Sequence, residues 1–196
     1  RIPEAELVCV SDVTQERAQQ VGIDGVDAYD DYRRVLDRKD LDGVVIATST
    51  DTHEEVIKAA SDAGLHMFCE KPIATTLKAI DEVLAIVNAS GVKFMVGFNR
   101  RYDPTFKHVW ELVQNGTVGN PMIVNITSRD PQPPHLEYLK VCGGIFFDTT
   151  VHDFDMARYL SGKEIHEVYA TGSVLVDERI GELGDLDTTM VTLKFV

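Results

Sequence analysis

Residues 7–10, 44–47, 66–69 and 94–98 are short, almost unbroken apolar runs, and the gaps between them carry apolar residues at helical spacing. No other feature limits the fold as much. A continuous apolar run of four or five residues suits a strand buried on both faces, the habit of parallel sheets. Parallel neighbours need a crossover, and a helix supplies it. The gaps provide the helices. Thr14 caps a segment over 15–21 that Gly22 ends, and Tyr32, Val35 and Leu36 share a face within 30–40. Val56, Ile57, Ala60 and Ala63 form another apolar face, closed by Gly64. Thr75 or Thr76 caps a helix whose face is Leu77, Ile80, Val83, Leu84 and Val87, and Gly91 ends it. Residues 1–98 are therefore expected to form an open α/β sheet with helices on both faces. Right-handed crossovers then put every strand's carboxyl end on one edge. Asp12, the turn at 48–53 and Glu70-Lys71-Pro72 follow strand ends, so they share the edge where such sheets bind ligands.

The rhythm changes after Asn99. A helix is expected over 104–115, with Phe106, Val109, Trp110 and Val113 facing a core. Residues 122–127 alternate like a strand with one wet face, and 128–135 is a proline-rich loop. Residues 168–176 alternate weakly, 177–187 is glycine-rich and acidic like a loop or hairpin, and 188–196 alternates as a half-buried strand. The expected division is 1–98 and 99–196.

Charge and cysteine content exclude whole classes. The net charge of −13 argues against a nucleic-acid footprint and against anionic membrane surfaces. No apolar run approaches the ~20 residues of a membrane span, and none reads as a signal peptide. Cys9, Cys69 and Cys142 are odd in number and far apart, as expected of reduced thiols in a cytoplasmic protein. The chain opens on Arg1 and stops within a strand pattern, so both ends are expected to be cuts rather than natural termini.

Two places offer chemistry. Asp12 ends a strand as the ribose-binding acid of a dinucleotide site does, and such an acid lies ~20 residues past a glycine fingerprint. That count runs off the start of this chain. A carboxylate there favours NAD over NADP, because it repels a 2′-phosphate. Thr48, Ser49 and Thr50 either cap a helix or use the same turn to meet phosphate or ribose; His53 opens that helix, with a structural role as the plain alternative. Lys71, between Glu70 and Pro72, projects from the carboxyl edge and either hydrogen-bonds a substrate hydroxyl or is an ordinary surface Lys-Pro pair. The second place is Gly143-Gly144-Ile145-Phe146-Phe147-Asp148-Thr149-Thr150-Val151-His152. A helix over 148–160 puts Asp148 and His152 on one face, one turn apart. A carboxylate beside an imidazole fixes its tautomer and raises its basicity, as a general base needs. A cap and a structural histidine are the plain alternative. Arg100, Arg101 and Arg129 either meet polar substrate groups or are surface charges. Asp148, His152, Asp153 and Asp155 also allow a metal-dependent hydrolase or isomerase, although helical geometry turns Asp153 and Asp155 away from the Asp148–His152 face.

Asp12, Ala47-Thr48-Ser49-Thr50 with His53, Glu70-Lys71-Pro72, Gly97-Phe98-Asn99-Arg100-Arg101-Tyr102-Asp103-Pro104 and Gly143-Gly144 with Asp148 and His152 occur in this order. The ordered set, over essentially the whole chain, resembles the glucose–fructose oxidoreductase/inositol dehydrogenase family, and within it the inositol 2-dehydrogenases. The resemblance implies a Rossmann domain followed by an α+β domain on a large, mostly antiparallel open sheet. It implies that the first strand, the Gly-x-Gly-x-x-Gly turn and the later part of the second domain belong to a longer parent. It also implies oxidation of a secondary alcohol on a cyclic polyol or sugar, most simply myo-inositol, with NAD, in a homodimer or homotetramer. Lys71, Asp148 and His152 match the family's catalytic lysine, aspartate and histidine. Asp12, Thr48, Ser49, Thr50, His53, Glu70, Lys71 and Pro72 fall on its cofactor side. Arg101 and Arg129 fall with Lys71, Asp148 and His152 on its substrate side. A related sugar dehydrogenase, or a member that binds without redox chemistry, is the alternative within this frame.

Overall fold

The computed structural model describes residues 2–21 and 23–196. Gly22, expected to end the first helix, and Arg1 lie outside the described residues. The chain divides into two compact units, Arg1–Val96 and Gly97–Val196.

The first unit alternates strand and helix: β1 (Cys9–Ser11), α1 (Gln15–Gln19), β2 (Asp27–Tyr29), α2 (Tyr32–Leu36), β3 (Gly43–Ile46), α3 (Thr50–Asp62), β4 (His66–Cys69), α4 (Leu77–Ser90) and β5 (Phe94–Val96). β1 and β2 pair in parallel, and β3, β4 and β5 form a second parallel sheet in that order. Caps set the helix starts. Thr14 accepts from Arg17 N, Asp31 from Arg33 N and Thr76 from Ala79 N, each satisfying an otherwise orphaned donor. Strand parity sets the core. Val44 and Ile46 stand opposite Met67 and Cys69, and this face packs on Val56, Ile57 and Ala60 of α3 and Val83 and Val87 of α4.

Four expectations change here. The first strand lies at Cys9–Ser11 rather than 7–10, and β2 was not anticipated. Helices were expected on both sheet faces, yet the opposite parity leaves Val45 74% exposed and Met95 40% exposed. An apolar run shows that both faces shun water, but it does not say what covers each one. Leu77 and Leu84, placed by spacing on the buried face of α4, are exposed. They lie seven residues apart, on a stripe displaced from Val83 and Val87.

The second unit begins with a 3₁₀ turn (Asn99–Tyr102) and α5 (Pro104–Gln114). Asp103 caps α5 by accepting from Thr105 N and Phe106 N, with Pro104 at the first helical position, where its missing N–H costs nothing. α6 (Leu136–Leu139), a π-helical turn (Phe146–Thr150), α7 (Val151–Ser161), β6 (Ile165–Ser173), α8 (Glu178–Glu182) and β7 (Thr188–Phe195) follow. β6 and β7 pair antiparallel, with Tyr169 opposite Thr192. The strand expected at 122–127 is absent from the ladders among the described residues. Alternation reports which side of a strand is wet, but a ladder also needs a partner backbone, and no described segment offers one. Residues 177–187 are not a bare loop, because α8 occupies their first half under an Asp177 cap.

Asp187 holds this connection together. Its carboxylate accepts from Leu175, Val176 and Asp177 N at 2.9, 2.8 and 3.1 Å and from the Thr188 hydroxyl at 2.8 Å. Desolvation works against the anion, but these donors outweigh it and hold the acid down at about 2. A carboxylate whose folded pKa is depressed contributes stability above its unfolded value, about 3.9, and loses it as pH falls towards the folded value. Asp187→Asn should therefore melt below the parent near neutral pH, with the gap closing below about pH 4. A gap that stays constant through that range in thermal melts would count against this account.

Candidate active site

In the first unit the carboxyl ends of β3 and β4 lie side by side, because Ile46 pairs with Cys69 and Glu70 N donates to Ile46 O at 2.9 Å. The Thr48–Thr50 turn and the Glu70–Pro72 segment follow directly. His53 ties them together. Its ring is 1% exposed, with Nδ1 2.8 Å from Pro72 O and Nε2 3.0 Å from Thr48 O. Each neutral tautomer donates to one of these carbonyls, and the imidazolium to both. His53 thus braces the two segments on either side of it, the structural role open to a histidine at this helix start. Thr52 and Thr48 hydroxyls are hydrogen-bonded at 2.8 Å, and Thr50 is buried. Ser49 stands at the N-cap position of α3 but makes no side-chain cap bond. The Lys71–Pro72 peptide is cis. Cys69 is fully buried; burial, then the Glu70 carboxylate, push its thiol up to about 12, so it is no nucleophile. Asp12 follows β1 with an exposed carboxylate that accepts from Val13 N at 2.7 Å and lies 3.8 Å from the Arg17 guanidinium.

In the second unit the predicted Asp148–His152 helix is present, with a modification. Asp148 lies in the π-helical turn and His152 in the first turn of α7. The expected single α-helix is thus wider at its start; π-turns are uncommon and recur at functional sites. Gly143 and Gly144 open the segment with φ of +89° and +87°. A Cβ on Gly144 would also meet Asp185 Oδ1 at 3.0 Å, so both backbone and space call for glycine there. Asp185 in turn accepts from Ile145 N at 3.1 Å and fixes where the helix begins.

Two residues that the sequence reading passed over flank the pair. Tyr138 Oη donates to Asp148 Oδ1 at 2.7 Å. Burial first, then that bond and the carboxylate's charge, push the phenol well above its usual range, so it stays a donor. Phe98 sets its ring edge-on to His152, with centroids 6.5 Å apart. Phe98 was visible as the end of an apolar run. Tyr138 lay ten residues before Asp148, across a loop, with no periodicity to link them.

The arginines have partners. Arg101 binds Asp155 through Nε at 2.8 Å and Nη2 at 2.6 Å, and lies over the Tyr159 ring. Arg100 binds Asp153, which also accepts from Ser128 Oγ at 2.7 Å. Arg129 lines an open cleft of about 520 Å³ with Ser128, Thr149 and Met156; Asp148 and His152 are not in that lining. With Asp153 and Asp155 held by arginines, no group of three His, Cys, Asp or Glu side chains among the described residues is arranged to hold a metal ion.

Comparison with known proteins assigns the chain to a family. The family described as "Oxidoreductase family, NAD-binding Rossmann fold" matches residues 1–98, and the "GFO/IDH/MocA C-terminal domain" matches residues 106–196. The chain belongs to the GFO/IDH/MocA oxidoreductases. Its GFO/IDH/MocA relatives include a myo-inositol 2-dehydrogenase of Thermotoga maritima, 46% identical over 99% of this chain and 59% of the relative. A scyllo-inositol 2-dehydrogenase (NAD(+)) of Bacillus subtilis is 36% identical over 99% of this chain and 57% of the relative. The crystal structure of a myo-inositol dehydrogenase from Corynebacterium glutamicum superposes with a TM-score of 0.87 at 37% identity, covering 98% of this chain and 58% of that one. The chain thus spans less than two thirds of these GFO/IDH/MocA proteins.

Proposed function

We propose that the protein containing this chain oxidises a secondary alcohol of a cyclic polyol, myo-inositol to its 2-keto product, with NAD as oxidant. The observation that carries this reading is Asp148 and His152 on one continuous helical segment, in a chain 46% identical to a myo-inositol 2-dehydrogenase.

The residues present fit a dinucleotide on two counts. Asp12 offers an exposed carboxylate past β1, suited to ribose hydroxyls, and Ser49 stands at the α3 N-cap with a hydroxyl not used for capping. Thr48, Thr50, Glu70 and Pro72 shape the same edge, with His53 beneath them. NAD, when bound, supplies the acceptor for the hydrogen leaving carbon. The chain's own residues do the rest. His152 takes the hydroxyl proton, and Asp148 orients the imidazole and supports its positive charge; Lys71 is proposed as the catalytic lysine that the family resemblance implies. The alcohol thereby loses a proton to His152 and two electrons with the second hydrogen, leaving a ketone. Arg101 and Arg129 are proposed on the substrate side. Asp155 engages the Nε and Nη2 edge of Arg101, which leaves the Nη1 side as the face toward a polyol hydroxyl.

The reading includes a cytoplasmic homodimer or homotetramer. Cys9, Cys69 and Cys142 are free thiols, and no helix among the described residues is long and apolar enough to cross a membrane. Tyr169 and Met190 stand exposed on one face of the antiparallel sheet, as a surface awaiting a partner copy does.

The test is a screen of NAD reduction by the full-length protein over inositols, pentoses and hexoses. The highest kcat/KM should fall on myo-inositol. A different sugar in first place overturns the substrate assignment alone. Absence of NAD reduction with every polyol overturns the redox reading.

A further inference from the structure

We propose that Tyr138 is a positioning residue for the catalytic pair: its phenol fixes the Asp148 carboxylate and sets how strongly that carboxylate supports positive charge on His152. The inference rests on the reading of His152 as general base.

Tyr138 stands on the short helix α6 and reaches across the Gly143–Gly144 turn to Asp148. The 2.7 Å separation is that of a charge-assisted O–H···O bond. The side chain does not earn its place by burial, since Tyr138 remains 42% exposed. A tyrosine kept for packing hides its ring and leaves its hydroxyl to water. Here the ring stays partly wet and the hydroxyl goes to the carboxylate. The donor is also constant, because burial and the neighbouring carboxylate hold the phenol protonated.

The surrounding titratable groups do not blur the effect. Cys142 is fully buried, and burial, with the Asp148 and Asp185 charges, keeps its thiol neutral. Asp185 is engaged by Ile145 N and Leu186 N. A donor on Asp148 Oδ1 draws charge from the carboxylate. Removing it leaves a more basic carboxylate, which stabilises the imidazolium more and raises the pH at which His152 deprotonates.

The experiment uses Tyr138→Phe in the full-length protein. Phenylalanine keeps the ring, and melting curves check that the fold is retained. The kcat for the preferred polyol should fall about tenfold, because an unanchored carboxylate no longer holds the imidazole in line and this loss outweighs its greater basicity, with KM nearly unchanged. The acid limb of kcat/KM should move to higher pH by roughly half a unit or more. An NMR titration of the His152 ring in cofactor-free protein should move the same way. In an Asp148→Asn background, Tyr138→Phe should cause no further loss. A lower kcat with an unmoved His152 titration makes Tyr138 merely structural and overturns the proposal, as does a variant unchanged in every measure. The general-base reading fails separately, through a His152→Ala variant that keeps its turnover, while the NMR titration still reports on Tyr138.

Discussion

Replacing His152 with alanine is expected to lower kcat for the preferred polyol at least about 100-fold, the lower end of a general base's contribution. The loss should appear in kcat more than in KM, because the proton moves only as the transition state forms. A base must be unprotonated to act, so in the parent protein oxidation falls on the acid side as His152 takes up a proton. That limb should flatten in the variant, where residual turnover no longer waits on an imidazole. The ring is half-buried and meets the edge of Phe98, so its removal also loosens local packing. Thermal melts separate the two effects, since a packing loss lowers the melting temperature without altering the shape of the pH profile. Turnover within a few-fold of the parent would sink the general-base assignment.

The framework was legible because a buried parallel strand writes itself as an unbroken apolar run. β4 lies where residues 66–69 predicted it, and β3 begins one residue earlier than its run. β2, with Asp27, Ala28 and Tyr29, was not legible: three residues, an exposed acid and two half-buried neighbours, carry no period. Residues 122–127 failed in the opposite way, having the period but no pairing partner among the described residues. At the site, the Asp148–His152 spacing survived the change from α to π geometry because both residues stay on one continuous segment. The π-turn itself left no trace in composition. It is preceded by two positive-φ glycines and by Ile145 N donating to the Asp185 carboxylate, a contact 40 residues apart in sequence. Burial was equally silent for His53. The sequence put it at a helix start on the ligand edge, and only the carbonyls of Thr48 and Pro72 show that it faces inward.

Arg101→Met should destabilise the protein by about 3–5 kcal/mol, the usual result of removing one partner of a buried ion pair. The asymmetry of the pair supports this size. The Asp155 side chain is 4% exposed and that of Arg101 38%, so losing the arginine strands the carboxylate that water cannot reach. The guanidinium also lies 5.1 Å from the Tyr159 ring centre, and Tyr159 stacks on Trp110 with centroids 5.3 Å apart. One substitution thus unsettles contacts that join the 3₁₀ turn, α5 and α7. The melting temperature should fall on the order of 10 °C. Adding Asp155→Leu to Arg101→Met should recover most of it, because an apolar pair of similar volume removes the stranded charge. This pair of variants also decides what Arg101 is for. A large fall in melting temperature that Asp155→Leu repairs, with KM for the polyol unchanged in the repaired protein, makes Arg101 a structural cation. A KM that stays raised after the stability has returned keeps it on the substrate side, with Asp155 aiming its Nη1 edge at the hydroxyls.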